Sequence, residues 1–225
     1  MMTVDETRNQ IAEFGRMLFD RHLTDAAGGN ISVRVDDVVC ITPRFSGQQR
    51  QWQLNPDDVL VVDLEGNIQE GEGDLSRESK VHLRLHNDFR EAGTAVIHAH
   101  PRNVMVFTAL AQPMPPVLEA NLKFGVTPVV DYAPAHSSDL AEHIAEALYR
   151  QESRIQNHAA GVIAPWHGLF IMAKHLAAAF DAVERFDTNA YCILMAYQMG
   201  QGERLNAQSE ALLDAALAHN KTLPS

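Results

Sequence analysis

The chain has 225 residues, 46% hydrophobic and 21% charged, a balance that suits one soluble globular domain with its own core. Its net charge is −11, from 29 acids against 18 bases, and no Lys/Arg run stands out, which argues against nucleic acid as a partner. Two cysteines, Cys40 and Cys192, lie far apart and support neither a disulfide framework nor a thiolate metal site.

The opening M-M-T-V-D-E-T-R-N-Q carries acids and no apolar centre, so it does not read as a signal peptide. No apolar run is long enough to span a bilayer, so no membrane role and a cytoplasmic location are expected. Residues 3–22 place Ile11, Phe14, Met17 and Leu18 at helical spacing. A glycine turn, T-D-A-A-G-G-N, covers 24–30. Strands are predicted at 31–35 and 38–42, joined by Asp36-Asp37 as a hairpin turn. Residues 43–57, with Pro, Gly and four Gln, read as a loop. A strand follows at 59–64.

From Ser76 to Arg90 the pattern becomes helical, with Ser76 as the expected N-cap. T-A-V-I-H (94–98) reads as a strand, with a helix starting near Pro101. V-T-P-V-V (126–130) reads as another strand. Ser137 or Ser138 is expected to cap a helix running to about Arg150. G-V-I-A (161–164) and L-F-I-M (169–172) read as strands around W-H-G, followed by helices over 175–199 and 207–218. Hairpins early and β–α alternation later predict an α/β or α+β domain.

Within V-I-H-A-H-P (96–101), His98 and His100 stand two residues apart, so a strand projects both to one side. Imidazole pairs of this kind suit zinc and related ions, which need further ligands. His136, His143, His158, His167 and His175 all lie downstream. His143 and His175 fall in helical patterns and His158 at a polar helix end. His167 sits in a turn between two apolar strands, where it can reach a metal or simply pack beside Trp166. Glu78 opens the helix in S-R-E-S-K-V-H. It is either a helix-capping acid or a functional carboxylate. His82, at i+4, shares its face, and His86 continues the stripe as a structural or supporting residue.

Taken in order, A-A-G-G-N-I-S-V-R, I-T-P, S-R-E-S-K-V-H, V-I-H-A-H-P and W-H-G-L resemble the class II aldolase/adducin family from about residue 5 to 200. Its members include fuculose-phosphate and rhamnulose-phosphate aldolases and ribulose-phosphate 4-epimerase. The resemblance implies one domain over residues 1–225, built as a three-layer α/β/α sandwich with a central, largely antiparallel sheet. It implies a divalent metal on His98, His100 and His167, zinc foremost, with manganese or cobalt as alternatives. Glu78 falls where the family keeps its acid/base. Gly29 and Asn30 fall on the loop that holds the substrate's anionic group, with Thr42 and Ser76 beside it. A homotetramer with sites at subunit interfaces is also implied.

Such enzymes break or form a C–C bond of a small hydroxy-carbonyl compound through an enediolate that the metal stabilises. Decarboxylation, 4-epimerisation and dehydration are sibling reactions. An adducin-head-like scaffold is the non-enzyme alternative, and retention of the three histidines and Glu78 argues against it. This chain departs from the sugar-phosphate pattern where I-T-P continues as R-F-S-G-Q-Q-R-Q, and where Arg77 replaces a second serine. A tyrosine that assists proton transfer in some aldolases falls near Glu119, where this chain has none. Arg44 and Arg77 suit a small anionic substrate, because a guanidinium fork fits phosphate or carboxylate. The lesser alternative is that both are surface residues with no ligand.

Overall fold

Backbone pairing in the computed structural model, which describes residues 2–222, follows the hydrophobic alternation of the strands. The strands are β1 (Asn30–Val35), β2 (Val38–Ile41), β3 (Leu60–Asp63), β4 (Ile68–Glu70), β5 (Ala95–Ala99), β6 (Ala159–Ala164) and β7 (Gly168–Ala173). They form one seven-stranded sheet in the order β4-β3-β2-β1-β5-β7-β6, and each neighbouring pair is antiparallel. The hairpin at Asp36-Asp37 is present, with Asp36 at φ 51°.

Alternation in the central strands feeds two cores. Ala95, Ile97 and Ala99 of β5 face the same side as Leu169 and Ile171 of β7. There they meet α1 (Val4–Asp20), α3 (Val104–Leu110) and α6 (Leu176–Gln198). Val96 of β5 and Phe170 and Met172 of β7 face the other side, towards α2 (Ser79–Asp88), α4 (Ser138–Leu148) and α5 (Glu152–Asn157). The result is a three-layer α/β/α sandwich. Helix α7 (Gly202–Thr222) follows α6. Among the described residues no helix is long and apolar enough to cross a membrane.

Capping chemistry sets the helix starts. Thr3 and Glu6 form a reciprocal capping box at α1. Ser137 Oγ accepts from Leu140 N–H at α4, so the cap is the first of the two serines the sequence offers. His175 caps α6 by accepting from Ala178 N–H, so it precedes the helix rather than lying within it.

Three expectations are corrected. The helix expected from Ser76 begins at Ser79, because Ser76 Oγ instead accepts from Glu78 N–H in the turn ahead of it. V-T-P-V-V is not a strand. Pro128 has no N–H to give to a ladder, and only bridges at Thr127 and Val129 form. The last helix is longer than the predicted 207–218. The loop over 43–57 does lack strands and α-helices, yet it buries Trp52 completely.

Candidate metal and anion site

Strand register builds the floor of the site. Asn30 of β1 and Phe170 of β7 both pair with His98 of β5, so the three lie in one row across the sheet. His98 is 2% exposed and its ring stacks on Phe170 at 4.1 Å between centroids. His100 follows just past the end of β5. His167 comes from the turn Pro165-Trp166-His167 between β6 and β7, where Trp166 takes φ 57°. Candidate ligand atoms of His98, His100 and His167 all lie within 4.8 Å of one another.

The proton placement on these rings suits a cation. His98 Nδ1 lies 3.1 Å from the carbonyl of Leu169, and His100 Nδ1 lies 3.2 Å from Asp25 Oδ2. Both oxygens only accept, so in its neutral form each ring carries its proton on Nδ1 and presents a bare Nε2. Those two Nε2 atoms are 3.2 Å apart, and with both protons on Nδ1 neither has one to share. Two nitrogens bound about 2.0–2.1 Å from a tetrahedral ion sit about 3.3 Å from each other. His167 Nδ1 is buried and has no hydrogen-bond partner. Burial holds His98 well below the usual imidazole range, and burial followed by the nearby His100 and His136 lowers His167 to about 4. Unprotonated imidazoles are the form that ligates a metal. The donor set therefore fits a divalent ion.

Glycines let the rings approach. A Cβ on Gly28 would stand 2.2 Å from His100 Cε1, and one on Gly168 would stand 2.7 Å from His100 Cδ2 and 2.8 Å from His98 Cε1.

Glu78 occupies the N-cap position of α2, but its side chain makes no capping hydrogen bond. That leaves the carboxylate facing the histidines, with Oε1 3.6 Å from His167 Nε2. Glu78 is 5% exposed, and Oε2 is buried without a partner. Burial pushes its carboxyl up to about 7, against the opposing influence of His100 and Arg77. Beneath it, Ser32 Oγ lies 2.7 Å from both His82 Nδ1 and His86 Nε2, which ties α2 to β1.

A cavity of about 350 Å³ opens over this group. Gly29, Asn30, Arg44, Ser76 and Arg77 of the expected anion set all line it. Gly29 holds φ 102°, which an L side chain rarely adopts. Arg44 lies over the Phe45 ring at 4.5 Å, and its Nε is buried with no acceptor. Thr42 is the exception among the expected residues. It is fully buried outside the lining, and its hydroxyl accepts from Ile31 N–H.

Two lining or flanking groups went unassigned in the sequence. Asp25 contacts His100, and that hydrogen bond is the foremost reason its carboxyl falls below the usual range, with burial opposing. His136, weighed only as one of several downstream histidines, adopts φ 72° and places Nδ1 3.0 Å from Glu78 Oε1. That approach lies off the ring N–H direction, so it is a close electrostatic contact rather than a formed hydrogen bond. Its Nε2 is 3.3 Å from Arg77 Nη1. A non-glycine residue in the left-handed region beside a carboxylate is the kind of signal only the folded backbone reveals.

Proteins of known family share this sequence pattern and this fold. The family model for the class II aldolase and adducin N-terminal domain matches residues 9–194. An L-fuculose phosphate aldolase from Methanococcus maripaludis is 29% identical over 170 residues, which is 75% of this chain and 86% of that protein. A methylthioribulose-1-phosphate dehydratase from Pseudomonas aeruginosa is 30% identical over 196 residues, 84% of this chain and 94% of that one. The solved structure of an L-fuculose 1-phosphate aldolase superposes with a TM-score of 0.77 at 27% identity, covering 94% of this chain and 97% of that one. The chain belongs to the class II aldolase and adducin N-terminal domain family.

Proposed function

We propose that this protein is a metal-dependent lyase that cleaves or forms a C–C bond in a small hydroxy-carbonyl substrate carrying an anionic group, such as a sugar phosphate or a sugar acid. The observation that carries this reading is the buried Glu78 carboxylate, one oxygen without a partner, set beside the group of His98, His100 and His167 at the foot of a cavity lined by two arginines. Class II aldolases are metal-dependent, and the three imidazoles could hold a divalent ion, with zinc the leading choice. When bound, such an ion supplies an electrophile that offsets the negative charge developing on substrate oxygen.

The chain's own groups then divide the work. Arg44 and Arg77, with the Gly29-Asn30 turn, hold the anionic end. Arg44 Nε supports this role as a buried donor lacking an acceptor. Glu78 Oε2 is the partnerless oxygen that carries a proton from the substrate hydroxyl to the carbon left when the C–C bond breaks. We further propose a cytoplasmic homotetramer with its sites at subunit interfaces.

Decarboxylation is the second reading, favoured by the arginine pair, whose planar forks match a carboxylate as well as a phosphate. Dehydration is a third, since one relative bears the name of a dehydratase. Metal-loaded protein incubated with L-fuculose 1-phosphate and with a hydroxy-keto acid separates them. Release of an aldehyde supports the lyase. Carbon dioxide or loss of water moves the assignment to a sibling reaction. No product of any of these kinds removes the enzyme reading.

A further inference from the structure

We infer that Asp25 is a positioning residue for the candidate metal site, acting through His100 by fixing which ring nitrogen is left bare. The inference rests on the reading that His98, His100 and His167 hold a divalent ion, and it goes beyond that reading by giving a residue outside the ligand set a defined task.

Asp25 is half exposed, at 50% for its side chain, yet it is held on several sides. Oδ1 accepts from Ala27 N–H at 2.8 Å and from Gly28 N–H at 2.9 Å. Its main-chain carbonyl accepts from Trp52 Nε1 at 3.0 Å, and Trp52 is fully buried. What remains is Oδ2, directed at His100 Nδ1 at 3.2 Å. Meanwhile the His100 ring is confined by Gly28 and Gly168. The glycines therefore set where the ring lies, and Asp25 sets where its proton lies.

A carboxylate accepts and cannot donate, so it draws the imidazole proton to Nδ1 and leaves Nε2 free to bind. His98 receives the same service from the Leu169 backbone carbonyl, which no substitution removes. Asp25 is thus the member of this pair of supports that mutagenesis can edit. Asp25→Asn is nearly isosteric. Its amide oxygen can keep the Ala27 and Gly28 bonds, but its NH₂ then faces His100 Nδ1. The ring answers by accepting there and moving its proton to Nε2, where it blocks the ligand lone pair.

The test titrates zinc into metal-free full-length protein against a chromophoric chelator, with no substrate present. Asp25→Asn is expected to weaken zinc binding about 10–100-fold, the size typical for loss of a supporting group around a metal. In a His100→Ala background the same change is expected to alter affinity by less than about two-fold, because the ring it acts on is gone. A purely structural role for the turn would weaken both backgrounds alike and would overturn the inference. So would Asp25→Asn binding zinc as tightly as the parent. Should Asp25→Asn fold poorly, Asp25→Ser replaces it, since a serine hydroxyl can keep the turn but does not reach His100. Failure of the metal reading looks different. The parent itself would bind zinc no better than His98→Ala, and both ideas would fall together.

Discussion

His82 Nδ1 and Ser32 Oγ meet at 2.7 Å in the fully buried layer between α2 and the sheet, one helical turn beyond Glu78. His86 Nε2 reaches the same hydroxyl, so one side chain on β1 anchors two on the helix that carries the carboxylate. Ser32→Ala leaves both imidazoles short of a partner in a layer without water access. Thermal or urea unfolding should show a loss of about 1–3 kcal/mol, the cost of a buried polar group left unsatisfied. An unchanged unfolding midpoint would mean that α2 does not depend on this anchor.

The same two histidines make stability depend on pH. Burial lowers His82 from 6.5 to about 3 and holds His86 well below its ordinary value, with His82 and Arg34 nearby adding to the effect. Between those values the unfolded chain binds protons that the folded chain refuses. Stability is therefore fully present above about pH 6.5 and is lost as pH falls towards 3. The buried His98 and His167 act in the same direction in metal-free protein. The urea midpoint of metal-free protein should fall clearly between about pH 7.5 and about pH 5. A flat profile across that interval would show that these rings are not neutral in the fold.

Glu78→Gln removes the proposed proton carrier and keeps its shape. Turnover should drop about 10²–10⁴-fold, the usual contribution of a placed acid or base, with zinc content unchanged. Retained turnover would take Glu78 out of the chemistry.

Arg77→Ala and Arg44→Ala each remove a cavity-lining guanidinium proposed to hold the substrate's anionic end. KM for an anionic substrate should rise about ten-fold or more for each, with kcat affected less. Steady-state kinetics on phosphorylated and carboxylated substrates will also show which anion the pair prefers. If neither variant changes KM, the anion sits elsewhere.

How much was legible in the sequence varies with the range of the interaction. The Asp36-Asp37 hairpin, the Ser137 cap and the same-face placement of His98 and His100 are local, and period and capping chemistry find them. The family resemblance places His167 and Glu78, and the structure sets His167 among the ligand atoms of the predicted pair and Glu78 beside His167. Local pattern misleads at Pro128, where apolar β-branched neighbours suggest a strand but the missing N–H prevents one. The family resemblance puts Thr42 beside the anion loop, whereas its hydroxyl serves the backbone of β1. Asp25 meets His100 across 75 positions, and His136 meets Arg77 across 59. Neither contact leaves a periodic trace in the chain, because only the closed sheet and its loops bring the partners together.

The central claim is that the imidazoles of His98, His100 and His167 together hold one divalent ion. Elemental analysis of protein reconstituted with zinc and freed of excess tests it most directly, alongside His98→Ala and His167→Ala. The account predicts about one zinc per chain in the parent and a marked loss in both variants. Less than about one-tenth of an equivalent in the parent, or the same content in all three proteins, would contradict it.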